Sequence, residues 1–147
     1  MRALVQRVSR ASVAIGGEVV ARIGPGLVVL LGVAQGDTPQ DARALARKVA
    51  HLRVFPDQEG RFQFSLLETD GEALAVSQFT LLADTRRGRR PNFTGAAPPE
   101  QAQPLYEDFV VALSSLGVRV GTGRFQEYMS VEIINNGPVT ILLDSRE

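Results

Sequence analysis

The stretch GPGLVVLLGVAQGDTPQDARALARKVAHL, residues 24–52, decides the fold, because two kinds of apolar pattern follow each other in it. Leu27 to Val33 is an apolar run of strand length, which is typical of a strand buried on both faces. From residue 38 onward the apolar residues instead recur at the spacing of one helix face. A buried strand followed by an amphipathic helix predicts a mixed α/β protein.

The helix in this stretch has a recognisable beginning and end. Thr38 can cap its first turn, Pro39 suits the first helical position, and Asp41 complements the positive end of the helix dipole. Pro56 should stop it, since the residue before a proline avoids the α region. The predicted apolar face comprises Ala42, Leu45, Ala46, Val49 and Leu52.

On either side of this stretch the pattern predicts short strands and one more helix. Gly16-Gly17 is a hairpin signal between two alternating segments. A second helix is predicted from Glu100, and Gly117 is placed to end it. The predicted strands are Arg2 to Ser9 with Ser12 to Ile15, Glu18 to Ile23, Leu27 to Val33, residues 62–66, residues 72–82, Val118 to Gly121, Met129 to Ile134 and Val139 to Leu143.

The length of 147 residues fits one domain, 1–147. We expect two strands, two strand–helix units and three further strands, folded as a mostly antiparallel sheet or half-barrel with two helices packed on it. No stretch reaches the roughly 18 apolar residues of a membrane span, and the N-terminus does not resemble a signal peptide. We therefore expect a cytoplasmic protein with no membrane partner.

The composition excludes several kinds of catalytic site. The chain has no cysteine, so disulfides, thiolate metal sites and cysteine nucleophiles are excluded. His51 is the only histidine, and it is predicted to lie off the apolar face of the first helix. A Ser-His-Asp triad or a zinc site is therefore not expected, and the prediction is that no metal or cofactor is used.

Four arginines lie within five positions in the long polar segment that follows residue 82. Arginine is the preferred partner of phosphate groups. A run of charge is equally often a solvated loop, so the pattern leaves both interpretations open. The four residues are Arg86, Arg87, Arg89 and Arg90.

Two further segments are unusual for their predicted positions. Ser77-Gln78-Phe79-Thr80 places hydroxyl and amide groups at the end of a predicted strand, where they could line a site or simply face water. Asn135-Asn136-Gly137-Pro138-Val139-Thr140 separates two predicted strands, where an ordinary hairpin turn is the simplest interpretation. Glycine before proline also permits unusual backbone geometry.

Together these two segments resemble the paired signature of the D-aminoacyl-tRNA deacylases. The resemblance extends along the chain. It includes Gln6 to Val13, Leu30 to Val33, Arg87 to Pro91 and Thr122 to Phe125. It implies a carboxylic ester hydrolase that removes D-amino acids from tRNA, a form of proofreading in translation, with no DNA partner.

The resemblance also implies how such a protein is built. It implies a homodimer with a tRNA-binding active site at the subunit interface. Gly137-Pro138 is similar to the family's cis dipeptide, which reaches into the partner's pocket and rejects L-aminoacyl groups with backbone carbonyls. Glycine has no side chain to reject, so glycyl-tRNA, including glycine mischarged on tRNA-Ala, should also be a substrate. The tRNA 2′-OH is expected to assist the attacking water.

The same resemblance assigns roles to individual residues. The segment that ends at Thr80 resembles the wall of the pocket that receives the tRNA 3′ end. Thr80 is the best side-chain candidate for a catalytic contact, although a lone threonine without a base is a poor nucleophile. The remaining expected site residues are Ser77 and Gln78 for orienting the substrate, Phe79 and Met129 for contacting it, and the four arginines for binding RNA phosphates.

The chain departs from the family at two places. Asn136 stands where an aspartate is frequent, which removes a local charge, and Gln126-Glu127-Tyr128 is bulkier than expected, which could reshape one rim of the pocket.

Three alternatives to D-aminoacyl-tRNA hydrolysis remain open. A sister family acts on L-aminoacyl-tRNA, but Ser77, Phe79 and Val139 favour the D-specific side. The second is an RNA-binding module without turnover. The third is a serine esterase, against which the lack of a histidine partner for the serine argues.

Overall fold

A computed structural model describes residues 1–147 and contains eight strands, two long helices and one short helix. The strands are β1 Arg2–Ile15, β2 Glu18–Ile23, β3 Gly26–Gly32, β4 Phe55–Pro56, β5 Phe62–Phe64, β6 Glu72–Ser77, β7 Arg119–Thr122 and β8 Ser130–Asp144. The helices are α1 Pro39–His51, α2 Leu66–Thr69 and α3 Pro99–Ser115. None of them is long and apolar enough to cross a membrane.

Six strands form one sheet in the order β2-β1-β3-β6-β7, with β8 also paired to β1. The long strand β1 pairs antiparallel with β2, β3 and β8, whereas β3 with β6 and β6 with β7 are parallel. Strands β4 and β5 form a separate small hairpin. The prediction of a mixed α/β fold built on a mostly antiparallel half-barrel is confirmed.

Strand β3 lies at the centre of the molecule and contributes to two cores. Leu27, Val29 and Leu31 belong to the larger core, which includes residues of α1 and α3. Val28 belongs to a smaller core with residues of β1, β2 and β6. All four side chains are fully buried, so the prediction of a strand covered on both faces is confirmed.

Both long helices begin and end close to the predicted positions. The Asp41 carboxylate accepts hydrogen bonds from the Thr38 backbone N–H at 2.8 Å and from the Thr38 hydroxyl at 3.0 Å. The Thr38 backbone bond is the main reason why the pKa of Asp41 lies below its ordinary value. Helix α3 stops before Gly117, whose φ of +106° lies in the left-handed region that glycine favours.

Two predicted strands end earlier than the sequence suggested. Strand β6 stops at Ser77 because its parallel partner β3 stops at Gly32, and the chain then forms a 3₁₀ turn over Phe79–Leu82. Leu66 does not extend β5 but begins α2, a four-residue helix capped by Ser65. A helix this short has too few residues for apolar periodicity to reveal it.

The segment 135–140 is not a hairpin turn, so the simplest interpretation of the sequence was wrong. Both halves of β8 pair with β1, through Val8 with Asn135 and Gln6 with Thr140, and the residues between them form a bulge. The Asn135 side chain accepts a hydrogen bond from the Val139 N–H at 2.8 Å and donates one to the Val139 carbonyl at 3.1 Å. These bonds close the base of the bulge.

Candidate active site

A cavity of about 660 Å³ opens beside the end of β6, within the size range of small-ligand sites. Its wall combines residues from the end of β6, the 3₁₀ turn, α3 and the start of β8 with residues just after β3, before α3 and before β8. The lining residues are Val33, Val76, Ser77, Gln78, Phe79, Phe93, Ala96, Ala97, Pro99, Ala102, Phe125, Gln126, Glu127, Tyr128, Met129 and Val131.

Three of the four residues in the first sequence motif line this cavity. Ser77 pairs with Leu31 in the last register position of β3 and β6, and the Gln78 N–H donates to the Leu31 carbonyl at 2.7 Å. Thr80 is exposed and does not belong to the cavity wall. Its hydroxyl accepts a hydrogen bond from the Gln78 side-chain amide. The Thr80 side chain is therefore connected to the cavity wall through Gln78.

Aromatic side chains dominate one part of the wall. Phe79 meets Phe93 edge to face, with ring centroids 4.9 Å apart. Phe125 stacks on Tyr106 at 6.3 Å, and the Tyr106 hydroxyl donates to the Ala75 carbonyl at 2.7 Å. Burial raises the pKa of Tyr106 to about 12, so this phenol is not a base at neutral pH. Such surfaces suit the flat face of a nucleobase.

Phe93 and Phe125 are site residues that the sequence did not reveal as such. Phe125 belongs to a segment that resembles the family, and that resemblance was its only signal. Phe93 follows the arginine-rich segment, and the sequence contains no pattern that brings it to Phe79. Both reach the cavity through tertiary contacts, which local periodicity does not report.

The segment before β8 forms one rim of the cavity. Gln126 has a φ of +65°, which is uncommon for a residue with a side chain, and the Glu127 N–H donates to the Arg124 carbonyl at 3.2 Å. Tyr128 is 96% exposed. Met129 lies over Gly123, where a Cβ would be only 2.5 Å from the Met129 sulfur. The bulky segment Gln126-Glu127-Tyr128, which departs from the family pattern, therefore lies at the rim of the cavity.

The cavity contains few groups that could act as acid, base or metal ligand. Glu127 is the only charged residue in its wall. His51 is exposed at the last position of α1, and no hydrogen bond joins it to Ser77 or Thr80. The structure contains no group of three or more His, Asp or Glu residues that could hold a metal ion. A Ser-His-Asp arrangement is not assembled, which argues against a serine esterase.

The Gly137–Pro138 dipeptide lies in the β8 bulge, outside this chain's own cavity. Its peptide bond is cis, and both residues are exposed. Arg7 supports the bulge: its Nε donates to the Asn136 carbonyl at 2.8 Å and its Nη1 to the Val54 carbonyl at 2.7 Å. The contact at Asn136 uses the backbone, so an asparagine can replace the frequent aspartate without losing it.

The four arginines lie on an exposed loop that leads away from the 3₁₀ turn. Backbone hydrogen bonds of 2.7 and 2.9 Å between Asp84 and Asn92 close the loop. Arg86 forms a two-point ion pair with Asp84, with Nη2 to Oδ2 at 2.6 Å. The hydrogen bond from the Arg86 side chain is the main reason why the pKa of Asp84 falls to about 2. Arg87, Arg89 and Arg90 have no ion pair.

A sequence model of the family described as D-Tyr-tRNA(Tyr) deacylase matches residues 4–144. The chain belongs to this family. The D-aminoacyl-tRNA deacylase of Roseiflexus sp. (strain RS-1) is 63% identical over 145 residues, which cover 99% of this chain and 94% of that protein. The D-aminoacyl-tRNA deacylase of Symbiobacterium thermophilum is 61% identical over 147 residues, covering 100% of this chain and 97% of that protein.

Solved structures show the same fold as this deacylase-family chain. A structure described as c-Myc DNA Unwinding Element Binding Protein is 43% identical, with a TM-score of 0.92 and 98% of each chain covered. A probable eukaryotic D-amino acid tRNA deacylase is 16% identical, with a TM-score of 0.82 and 97% of each chain covered, and supports the fold alone. The predictions of a deacylase family and of a mixed fold are confirmed.

Proposed function

We propose that the protein hydrolyses the ester bond of D-aminoacyl-tRNA and glycyl-tRNA, releasing the free amino acid and tRNA in the cytoplasm. The observation that carries this proposal is the cavity beside β6. Ser77, Gln78, Phe79 and Met129 come together in its wall, although Met129 is far from the others in sequence. In a chain of the deacylase family, such a cavity suits the aminoacylated 3′ end of tRNA.

In this proposal the aromatic part of the wall takes the terminal adenine, and the polar part takes the aminoacyl group. Phe79 offers an exposed ring, and Met129 offers a polarisable thioether. The Ser77 hydroxyl and the Gln78 amide supply donors and acceptors for the ribose or the α-amino group. These groups bind and orient the ester, and none of them needs to accept a proton.

The reaction needs little catalytic help from side chains, because an aminoacyl ester is already activated. Water attacks the carbonyl carbon, the bond to the ribose oxygen breaks, and that oxygen leaves with a proton. The neighbouring 2′-OH assists the water, and backbone N–H groups of Phe79 and Thr80 stabilise the oxyanion. These amides precede the first hydrogen bond of the 3₁₀ turn, from the Leu81 N–H to the Gln78 carbonyl at 3.2 Å.

The selection of D-amino acids is assigned to Gly137-Pro138 of a partner subunit. The dipeptide is exposed and lies outside its own chain's cavity, which supports a role in a second copy of the chain. A backbone carbonyl that faces the aminoacyl Cα excludes an L side chain, whatever that side chain is. The same device accepts glycine, so the proposal includes glycine on tRNA-Ala.

The arginine loop is assigned to the tRNA phosphates. Arg87, Arg89 and Arg90 have no carboxylate partner, so they can pair with phosphate without breaking an existing ion pair. Arg86 is held by Asp84 and has to share its guanidinium with that carboxylate. Such contacts predict binding that weakens steeply as salt is raised.

The experiment that tests the catalytic proposal uses D-Tyr-tRNA with purified protein and a chelator. Hydrolysis should continue without metal, and a serine-reactive probe should not label the protein. tRNA that ends in 2′-deoxyadenosine should be hydrolysed far more slowly. Inhibition by the chelator, labelling of a serine or full activity on the deoxy substrate would each overturn the corresponding part of the mechanism.

A mixing experiment tests the shared site. Gly137→Ala should be inactive, because a Cβ there would lie 2.8 Å from the Val139 side chain and 3.1 Å from Arg7 Nη2. Gln78→Ala should hydrolyse D-Tyr-tRNA more slowly, because its side-chain amide is lost from the cavity wall. Unfolding and refolding the two variants together should give more D-Tyr-tRNA hydrolysis than the two variants refolded separately give in sum, whereas the double variant should stay inactive. Failure to recover activity would contradict a site built from two subunits.

A second partner class follows from the name of the solved relative, which refers to a DNA unwinding element. Loop arginines can contact the phosphates of either nucleic acid. We retain tRNA because the cavity suits an aminoacylated nucleoside. Competition of duplex DNA against tRNA in a filter-binding assay separates the two, and equal competition would support DNA binding.

A further inference from the structure

Tyr128 makes almost no contact with its own chain. Its side chain is 96% exposed, although aromatic residues usually bury much of their surface. The other tyrosine, Tyr106, is buried with its hydroxyl bonded to the Ala75 carbonyl at 2.7 Å. Tyr128 therefore contributes little to the folded core, and its position needs another explanation.

The position of Tyr128 is defined by the cavity. It lines the mouth of the site together with Gln126 and Glu127. The turn before it is tight, with the Glu127 N–H bonded to the Arg124 carbonyl and Gln126 at a φ of +65°. A residue with a side chain, such as Gln126, is uncommon at positive φ. The exposed ring of Tyr128 is therefore held by a turn of unusual geometry.

The size of the cavity limits how much RNA it can hold. A volume of about 660 Å³ is that of a small-ligand site, which suits one aminoacylated nucleoside. The nucleotides before the terminal adenosine then have to cross the rim. Arg124 lies four residues before Tyr128, is exposed and has no ion pair, so a phosphate can approach this rim.

We propose that Tyr128 is a stacking platform for a base of the single-stranded tRNA 3′ end, just outside the cavity. This inference rests on the proposed function. Stacking on an aromatic ring is available to every base, so the platform would hold the 3′ end of any tRNA. It would orient the terminal ester without selecting the amino acid.

The chain offers a direct reporter of this contact. It has two tyrosines and no tryptophan, and only Tyr128 is exposed. An RNA oligonucleotide that ends in CCA should quench the tyrosine emission of the wild type. In Tyr128→Phe the quenching should vanish while binding, measured by filter retention, stays close to that of the wild type. Tyr128→Ala should weaken that binding about tenfold or more, the effect expected for one stacked base.

Kinetics separate the platform from a role inside the cavity. For D-Tyr-tRNA, Tyr128→Ala should raise KM about tenfold or more with a smaller effect on kcat, and Tyr128→Phe should restore KM. For D-Tyr-adenosine, which lacks the preceding nucleotides, the Tyr128→Ala effect should be much smaller. Val111→Ala, at a 64% exposed position on α3, is the matched control and should behave like the wild type.

Several results would overturn the proposal. These are equal losses on both substrates, a loss that Tyr128→Phe does not restore, or unchanged RNA binding in Tyr128→Ala. A change in the oligomeric state of Tyr128→Ala, seen by light scattering, would assign the residue to a protein interface instead. If the wild type hydrolyses neither substrate, the proposed function fails. The fluorescence and binding experiments with the CCA oligonucleotide still decide the platform.

Discussion

At the scale of single residues, Thr80 belongs to the sequence motif that resembles the family's active site, but its hydroxyl lacks the partners of a catalytic group. It lies next to the cavity, is exposed, and accepts a hydrogen bond from Gln78. No acid or base is bonded to its hydroxyl. The hydroxyl therefore holds the Gln78 amide and is not activated as a nucleophile. In the mechanism proposed above, Thr80 contributes its backbone N–H.

Replacing Thr80 by valine should lower kcat for D-Tyr-tRNA by less than about tenfold. A true general acid, base or nucleophile contributes on the order of 10²-fold or more. Single-turnover rates measure the effect, and Thr80→Ser is the control that keeps the hydroxyl. A loss of about 10²-fold that serine rescues would show that the hydroxyl takes part in the chemistry.

Asp84 provides a pH-dependent test of the arginine loop. Its pKa in the folded protein is about 2, below the ordinary 3.8, and the hydrogen bond from the Arg86 side chain is the main cause. The ion pair therefore stabilises the closed loop above about pH 4, and this contribution is lost as the pH falls through 2. NMR titration of the carboxyl carbon should give that low midpoint in the wild type.

In Arg86→Gln the midpoint for Asp84 should rise toward 3.8, because the main partner is removed. Arg87→Gln is the matched control and should leave the midpoint unchanged, since Arg87 has no bond to Asp84. A midpoint near 3.8 in the wild type would mean that the Asp84–Arg86 pair does not form in solution.

At the scale of elements, the central strand β3 and the 3₁₀ turn fit together through a single glycine. A Cβ on Gly32 would lie 2.5 Å from the Leu82 side chain, 3.1 Å from the Gln78 carbonyl and 3.1 Å from the Leu81 Cβ. Glycine is thus needed where the strand approaches the turn that contains Phe79 and Thr80. The end of β3 fixes the position of the cavity wall.

Gly32→Ala should therefore shift the 3₁₀ turn, lower the free energy of unfolding by about 1–3 kcal/mol and reduce kcat/KM for D-Tyr-tRNA. Urea unfolding and the deacylation assay measure the two effects. Gly24→Ala is the control, because its Cβ would have only an ordinary contact of 3.5 Å with Glu72. Normal stability and activity of Gly32→Ala would contradict this tight fit.

The sequence predicted most elements and missed those that depend on a distant partner. The hairpin at Gly16-Gly17, the buried strand at residues 27–33 and both long helices follow from local turn and periodicity signals. The bulge at Gly137 depends on pairing with β1, more than 120 positions away along the chain. The early end of β6 likewise depends on where β3 stops, which no local pattern in residues 72–82 contains.

At the scale of the whole molecule, a buried ion pair between Met1 and Asp37 belongs to a network that brings the two ends of the chain together. The Met1 ammonium group lies 2.7 Å from Asp37 Oδ2, and both side chains are fully buried. The same ammonium donates to the Ser145 hydroxyl at 2.9 Å, and Arg146 reaches Asp37 Oδ1 at 3.2 Å. This network connects β1, the segment before α1 and the residues after β8.

Asp37→Asn should lower the free energy of unfolding by about 3–5 kcal/mol, because it leaves the buried ammonium without its counter-charge. Urea unfolding measures the change. Asp70→Asn is the control, since it also removes one negative charge but at an exposed position where asparagine accepts the left-handed conformation. A change of less than about 1 kcal/mol in Asp37→Asn would show that the pair contributes little.

The cavity could be predicted in part, through the resemblance of two distant segments to one family. Ser77, Gln78, Phe79 and Met129 were expected in one site and line one cavity. The position of Phe93 and the buried Met1–Asp37 ion pair were not expected, because both depend on how distant segments of the chain pack together. The position of Gly137 outside its own cavity also required the whole fold.

The most direct test of the proposed function is the deacylation of D-Tyr-tRNA and L-Tyr-tRNA, measured side by side with the same protein preparation. We expect release of tyrosine from the D form alone, because the backbone carbonyls assigned to Gly137-Pro138 exclude L side chains. Release from both forms would contradict chiral selection. Release from neither, with tRNA still bound, would contradict the assignment of this cavity as a catalytic site.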